Sequence, residues 1–131
     1  ESTGEQVSLP SLGFPGLRAT AGGRVIEVLH LDVQGAEEPF IRSMHGHEPE
    51  KWVRFMVVST HHSSISGSST THSDCLDELR KLGATVLVEH SVEESFSGDG
   101  LIVASFYDCD KNLWFPEISR NRAENSLFGS E

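Results

Sequence analysis

An α/β fold is predicted by three observations. Four apolar runs, residues 24–31, 52–60, 84–90 and 100–107, are bounded by glycine, proline or polar clusters, as strands are. Between the first three runs lie two stretches with apolar residues at helical spacing. The last two runs are joined by SVEESFSGDG, which has no helical pattern, so they are expected to pair antiparallel.

The elements follow in order. Residues 1–23 contain Gly13, Pro15, Gly16, Gly22 and Gly23 and read as an irregular lead-in, with one short strand around Val7 to Leu9. RVIEVLHL, 24–31, is almost continuously apolar, the pattern of a strand covered on both faces of a parallel sheet. A short helix over 36–44 follows, with Phe40, Ile41 and Met44 as its stripe and Pro39 confined to its first turn, where a missing N–H is harmless. WVRFMVVST, 52–60, is the second strand, and HHSSISGSSTTH is a polar loop. The next helix carries Cys75, Leu76, Leu79 and Leu82, with Thr71 and Asp74 resembling a capping box and Gly83 closing its end. ATVLVEH and GLIVASFY are the last two strands. The tail from Asp108 holds Trp114, Phe115, Leu127 and Phe128, and is expected to pack onto the domain.

Composition narrows the function. The chain has 131 residues, enough for one domain with its own core. The net charge is −10 and only ten residues are Lys or Arg, with no basic block, so nucleic acid is not an expected partner. No run approaches the ~18 apolar residues of a membrane span, and ESTGEQVSLP lacks the basic and apolar regions of a signal peptide. Two cysteines, Cys75 and Cys109, without a motif fit packing roles in a reducing compartment, so a cytoplasmic location is expected.

The stretch VLHLDVQGAEEPF, 28–40, carries the site argument. In an open α/β sheet, ligands gather beyond the carboxyl ends of parallel strands. Asp32 directly follows the first strand, and Thr60, His61 and His62 lie at the end of the second. Parallel neighbours would put both groups on one rim. Gly35 lets the chain turn, and Glu37 then falls near a helix N-terminus, where the dipole favours its charge.

These residues also resemble a known family. LHLDVQGAE is similar to the D-x-E/Q-G-x-E signature of the FkbM-type methyltransferases, and VRFMVVSTHHSSISG, THSDCLDELRKLGA and EHSVEESFSGDGLIVASF resemble the family's second half in the same order. The resemblance covers roughly residues 24 to 128. It implies a partial Rossmann-like class I methyltransferase sheet, with parallel strands ending in an antiparallel hairpin. It also implies S-adenosylmethionine as cofactor and a small-molecule or glycan hydroxyl as acceptor. Many members methylate sugars or small natural products. The family pattern places a glycine-rich turn upstream of DVQGAE, and no G-x-G-x-G follows a predicted strand here. The expected organisation is a lead-in, 1–23, followed by the C-terminal half of a methyltransferase domain, 24–131. A chain of this kind is expected to hold the cofactor weakly or not at all.

Each candidate residue has a functional and a bland reading. Asp32 either orients the acceptor or ends a strand. His61 or His62 is a general base, since imidazole titrates near working pH, or a loop histidine bonded to backbone. Adjacent residues on an extended chain point to opposite sides, so one of the pair at most faces the site. Gln34, Gly35, Glu37 and Ser63 are candidates for contacting substrate or cofactor. Gly35 has a turn role besides, and Glu37 a helix-start role. The 90–99 connection, with Glu93, Glu94 and Asp99, either contacts substrate or simply turns. Trp52 and Trp114 read as packing, and His30 as a satisfied strand histidine. No H-E-x-x-H or H-x-x-x-H pair occurs and HGH at 45–47 is isolated, so no metal ligands are assigned. Magnesium near Asp32 stays open through the resemblance.

The leading expectation is the substrate-side half of an O-methyltransferase. The rival is a non-catalytic module that assembles through an exposed sheet edge, as an oligomer or with a missing N-terminal half. A metal-dependent hydrolase built from the histidines is a third.

Overall fold

The computed structural model describes residues 8–116 and 127. The elements are α1 (Phe14–Thr20), β1 (Ile26–Leu31), α2 (Glu37–Arg42), β2 (Val53–His61), α3 (Ser63–Ser66), α4 (Thr71–Lys81), β3 (Thr85–His90) and β4 (Asp99–Ser105). The fold is α/β with a four-stranded mixed sheet in the order β1-β2-β4-β3. β1 and β2 are parallel, and β4 runs antiparallel to both β2 and β3. The expected antiparallel pairing of the last two strands is present. The same strand also pairs with β2, so β3 is not a neighbour of β2.

Alternation along the strands sets the core. Leu29, Leu31, Met56, Val58, Ile102 and Ala104 are buried. With Ile41 and Met44 from the α2 region and Cys75, Leu76 and Leu79 from α4, they form one apolar cluster. Leu79 is fully buried, and its truncation to Ala would cost about 2–5 kcal/mol. Burial pushes the Cys75 thiol up to about 12, so it stays neutral. Phe14 anchors α1 to the same cluster, and its N–H donates to Ser43 Oγ at 3.0 Å. Arg18, from the last turn of α1, stacks 3.8 Å from the Trp52 ring centroid.

Several expectations are corrected. The lead-in is not wholly irregular, because Phe14–Thr20 are helical. Pro15 sits in the first turn, where it is harmless, and burial of Phe14 supplies the stabilisation that this Gly- and Pro-containing segment lacks in propensity. Ser8 and Leu9 are not strand, and Val7 lies outside the described residues. β1 is not covered on both sides: it is an edge strand, and Val28 is 56 % exposed. The serine-rich loop contains α3. The residue preceding α4 is Thr70 rather than Thr71, and Thr70 Oγ1 donates to Asp74 Oδ2 at 2.7 Å. Of the tail's described residues, Asp110 is buried, Trp114 is 82 % exposed and Leu127 67 %, and Leu127 N donates to Phe96 O at 2.9 Å. Phe128 lies outside the described residues. Cys75 and Cys109 are both free thiols. Among the described residues no helix is long and apolar enough to cross a membrane.

Candidate functional site

The chain leaves β1 at Leu31 and turns through Asp32–Ala36 into α2. Two consecutive residues in that turn have positive φ: Gln34 at 56° and Gly35 at 103°. For Gly35 this is unstrained, and a Cβ there would meet Ser66 Cα at 2.8 Å, so no side chain fits. For Gln34 the left-handed conformation costs about 1–2 kcal/mol. Strain of this kind persists where surroundings enforce it. Glu37 is part of that enforcement. It is fully buried, and its carboxylate accepts from Val33 N at 3.0 Å and Gly35 N at 2.9 Å.

The same carboxylate faces His61, the last residue of β2. His61 is 2 % exposed. Its Nδ1 lies 2.9 Å from Glu37 Oε1. The approach is too bent for a hydrogen bond, and no other acceptor satisfies Nδ1. Distance and angle thus disagree about this pair. The distance decides, because an anionic oxygen this close favours the Nδ1–H tautomer even off the ideal line. On the other side of the ring, Gln34 Nε2 lies 3.1 Å from His61 Nε2 and donates to Asp32 Oδ1 at 3.2 Å. An amide donor at Nε2 matches a ring protonated on Nδ1 and bare on Nε2. Asp32 Oδ1 is 3.2 Å and Asp99 Oδ1 3.8 Å from Nε2. Nε2 thus lies within 3.8 Å of two carboxylates and of the Gln34 amide.

The structure brings together Asp32, Gln34, Glu37 and His61, and adds Asp99, which stands opposite His61 in the β2–β4 register. Sequence reasoning weighed Asp99 only within a connecting loop. Its place at the rim depends on β4 pairing with β2, which the spacing does not reveal. Gly35 acts through backbone conformation. His62 caps α3, with Nδ1 accepting from Ser64 N at 3.1 Å, and Ser63 begins that helix, its carbonyl accepting from Gly67 N at 2.8 Å.

Thr60 points away from His61, as alternation requires. Its Oγ1 lies 2.6 Å from His72 Nδ1, and His72 Nε2 is 3.4 Å from Glu89 Oε1. Gly100, opposite Thr60, has no room for a Cβ, which would overlap both Thr60 Oγ1 and His72. This group locks α4 to the sheet beside the site. His30 is exposed on β1, with Nε2 at 3.3 Å from Ser59 Oγ. Among the described residues no group of three or more His, Cys, Asp or Glu is arranged to hold a metal ion.

Comparison of the chain with family models, with curated proteins and with solved structures returns no match.

Proposed function

We propose that the chain provides the acceptor side of an S-adenosylmethionine-dependent O-methyltransferase of the FkbM type, with His61 as the general base. The observation that carries this reading is a buried imidazole set between a fully buried carboxylate near Nδ1 and, at Nε2, the Gln34 amide with the Asp32 carboxylate beside it, at the carboxyl ends of two parallel strands. An acceptor hydroxyl bound at the rim displaces the Gln34 amide from His61 Nε2 and gives its proton to that nitrogen as its oxygen becomes the nucleophile. Glu37 fixes the ring and its tautomer, and Asp32 and Asp99 stabilise the imidazolium. Positioned proton transfer of this kind is worth about 10²–10⁴ in rate. The sheet order, with an antiparallel strand inserted between two strands that run the same way, is compatible with the class I methyltransferase arrangement.

The described residues do not by themselves cradle the methionine and ribose of the methyl donor. β1 is an edge strand, and no glycine-rich strand-to-helix turn precedes it among them. The reading therefore concerns the acceptor's proton. The test is transfer of labelled methyl from S-adenosylmethionine to a panel of alcohols. His61→Ala is expected to lose at least a hundredfold in rate and His62→Ala less than threefold. Equal rates for wild type and His61→Ala would discard the assignment.

A second reading, a module that assembles through its sheet edge, is favoured by one feature. Val28 on edge strand β1 is 56 % exposed, and Phe55, Val57 and Val103, which share its side of the sheet, are only half-buried. Sedimentation decides it: a monomer across the micromolar range removes self-assembly.

A further inference from the structure

An apolar cavity of about 400 Å³ opens beside the rim, between the segment leading into α1 and the outer side of α2. Its walls are Leu12, Val33, Ala36, Pro39 and Phe40, with Ser43 at one side, and no charged residue lines it. The volume falls in the ~300–1,000 Å³ range of small-molecule sites. Leu12 is 60 % exposed and Val33 45 %, so two large apolar side chains face solvent across it.

The cavity and the His61 cluster share one turn of chain. Val33 and Ala36 form cavity wall, while Asp32 and Gln34, immediately beside Val33, contact His61 Nε2. Neighbouring Cα atoms are about 3.8 Å apart. Val33, in the cavity wall, is the residue between Asp32 and Gln34, so a molecule in the cavity lies against the same turn that carries the His61 contacts. The wall is also held firm. Val33 N and Gly35 N are both bonded to buried Glu37, and Gly35 sits against Ser66 with no space between. A wall fixed in this way avoids an ordering cost on binding.

Charge narrows the occupant. The rim carries Asp32, Glu37 and Asp99 around one imidazole, and the chain's net charge is −10. A phosphorylated or carboxylated ligand would be repelled at the rim and would find no cation in the cavity. A free sugar would lose hydrogen bonds to water against Leu12, Val33, Pro39 and Phe40 without replacing them.

We infer that this cavity binds the apolar body of a neutral alcohol or phenol, whose hydroxyl is thereby presented to His61 Nε2. The inference rests on the proposed base only for the fate of the hydroxyl; occupancy of the cavity stands apart from it.

The experiment uses the full chain, ¹⁵N-labelled, titrated with 2-naphthol and, separately, with methyl β-D-glucopyranoside. The expected result is saturable shifts at the amides of Val33, Ala36 and Ser43 with 2-naphthol and none there with the glucoside. Leu12→Asp and, from the opposite wall, Val33→Asp should each weaken 2-naphthol binding at least tenfold. Both replace exposed side chains, and circular dichroism confirms folding. Equal shifts by the glucoside, shifts confined to the open sheet side around Val28 and Val57, or unchanged binding in both variants would overturn the inference. Saturable cavity binding of 2-naphthol together with methyl transfer that His61→Ala leaves undiminished overturns the base assignment and leaves the cavity standing. Methyl transfer to the glucoside without cavity shifts does the reverse.

Discussion

Replacing Glu37 tests how the turn is held. Its two carboxylate oxygens accept from Val33 N and Gly35 N at 3.0 and 2.9 Å, and the residue is fully buried. Hydrogen bonds to a charged group contribute about 1.5–3 kcal/mol each. Both pairings are part-buried, so water recovers some of the loss after Glu37→Ala. The expected destabilisation is therefore at the low end of the sum, about 3 kcal/mol. With a urea m-value of about 1.5 kcal/mol/M, the midpoint falls by about 2 M. Glu37→Gln keeps one acceptor and turns an amide N–H toward the other backbone donor, so it should cost about half as much. Urea unfolding followed by circular dichroism gives the energies, and hydrogen exchange at Val33 and Gly35 locates them. A loss below ~1 kcal/mol in the Ala variant, or undiminished protection of those two amides, would refute the argument.

Two other outcomes follow from the same geometry. Gln34→Gly relieves a left-handed residue worth about 1–2 kcal/mol but adds backbone entropy of about 0.5–1 kcal/mol to the unfolded chain. Stability should thus rise by about 0–1.5 kcal/mol, while methyl transfer drops at least tenfold because the amide joining Asp32 to His61 is gone; unchanged transfer would remove Gln34 from the site. Hydrogen bonding to Arg54, at 3.0 and 2.9 Å, outweighs burial at Asp110 and lowers its pKa from 3.8 to about 2. A depressed carboxylate pKa contributes stability that is present above the unfolded value and lost as pH falls through the folded one. The wild type should therefore lose stability between about pH 4 and 2 while Asp110→Asn shows a flatter acid limb; parallel acid-unfolding curves would exclude this pair as the cause.

What could be read from the sequence was what depends on local pattern. The runs around Val28–Leu31 and Val53–Thr60 gave β1 and β2, and the Cys75–Leu79 stripe gave α4, since periodicity survives without knowledge of neighbours. Asp32 and His61 were placed on one rim because both end parallel strands, and they lie 3.2 Å apart. Other features were hidden for physical reasons. α1 contains Pro15 and Gly16 and owes its existence to burial of Phe14, a tertiary effect that propensity misses. The partial exposure of Val28 follows from β1 being an edge strand, which an apolar run cannot show. That His61 and not His62 faces Glu37 and Asp32 depends on the end of β2 and on the bond from Ser64 N to the second ring, neither of which the residue pair itself reveals. Asp99 required cross-strand register, and the left-handed Gln34 carries no residue-type signal, since that conformation is usually occupied by Gly or Asn.

The reversed direction of β4 has a consequence for assembly. Because it starts at the rim instead of ending there, it delivers its first residue, Asp99, beside a histidine 38 positions earlier in the chain (99 − 61). A contact of this sequence separation carries a loop-closure cost that a local one does not. The His61 cluster is then complete only where β4 lies paired between β2 and β3, so fraying of β4 from β2 would remove Asp99 from it.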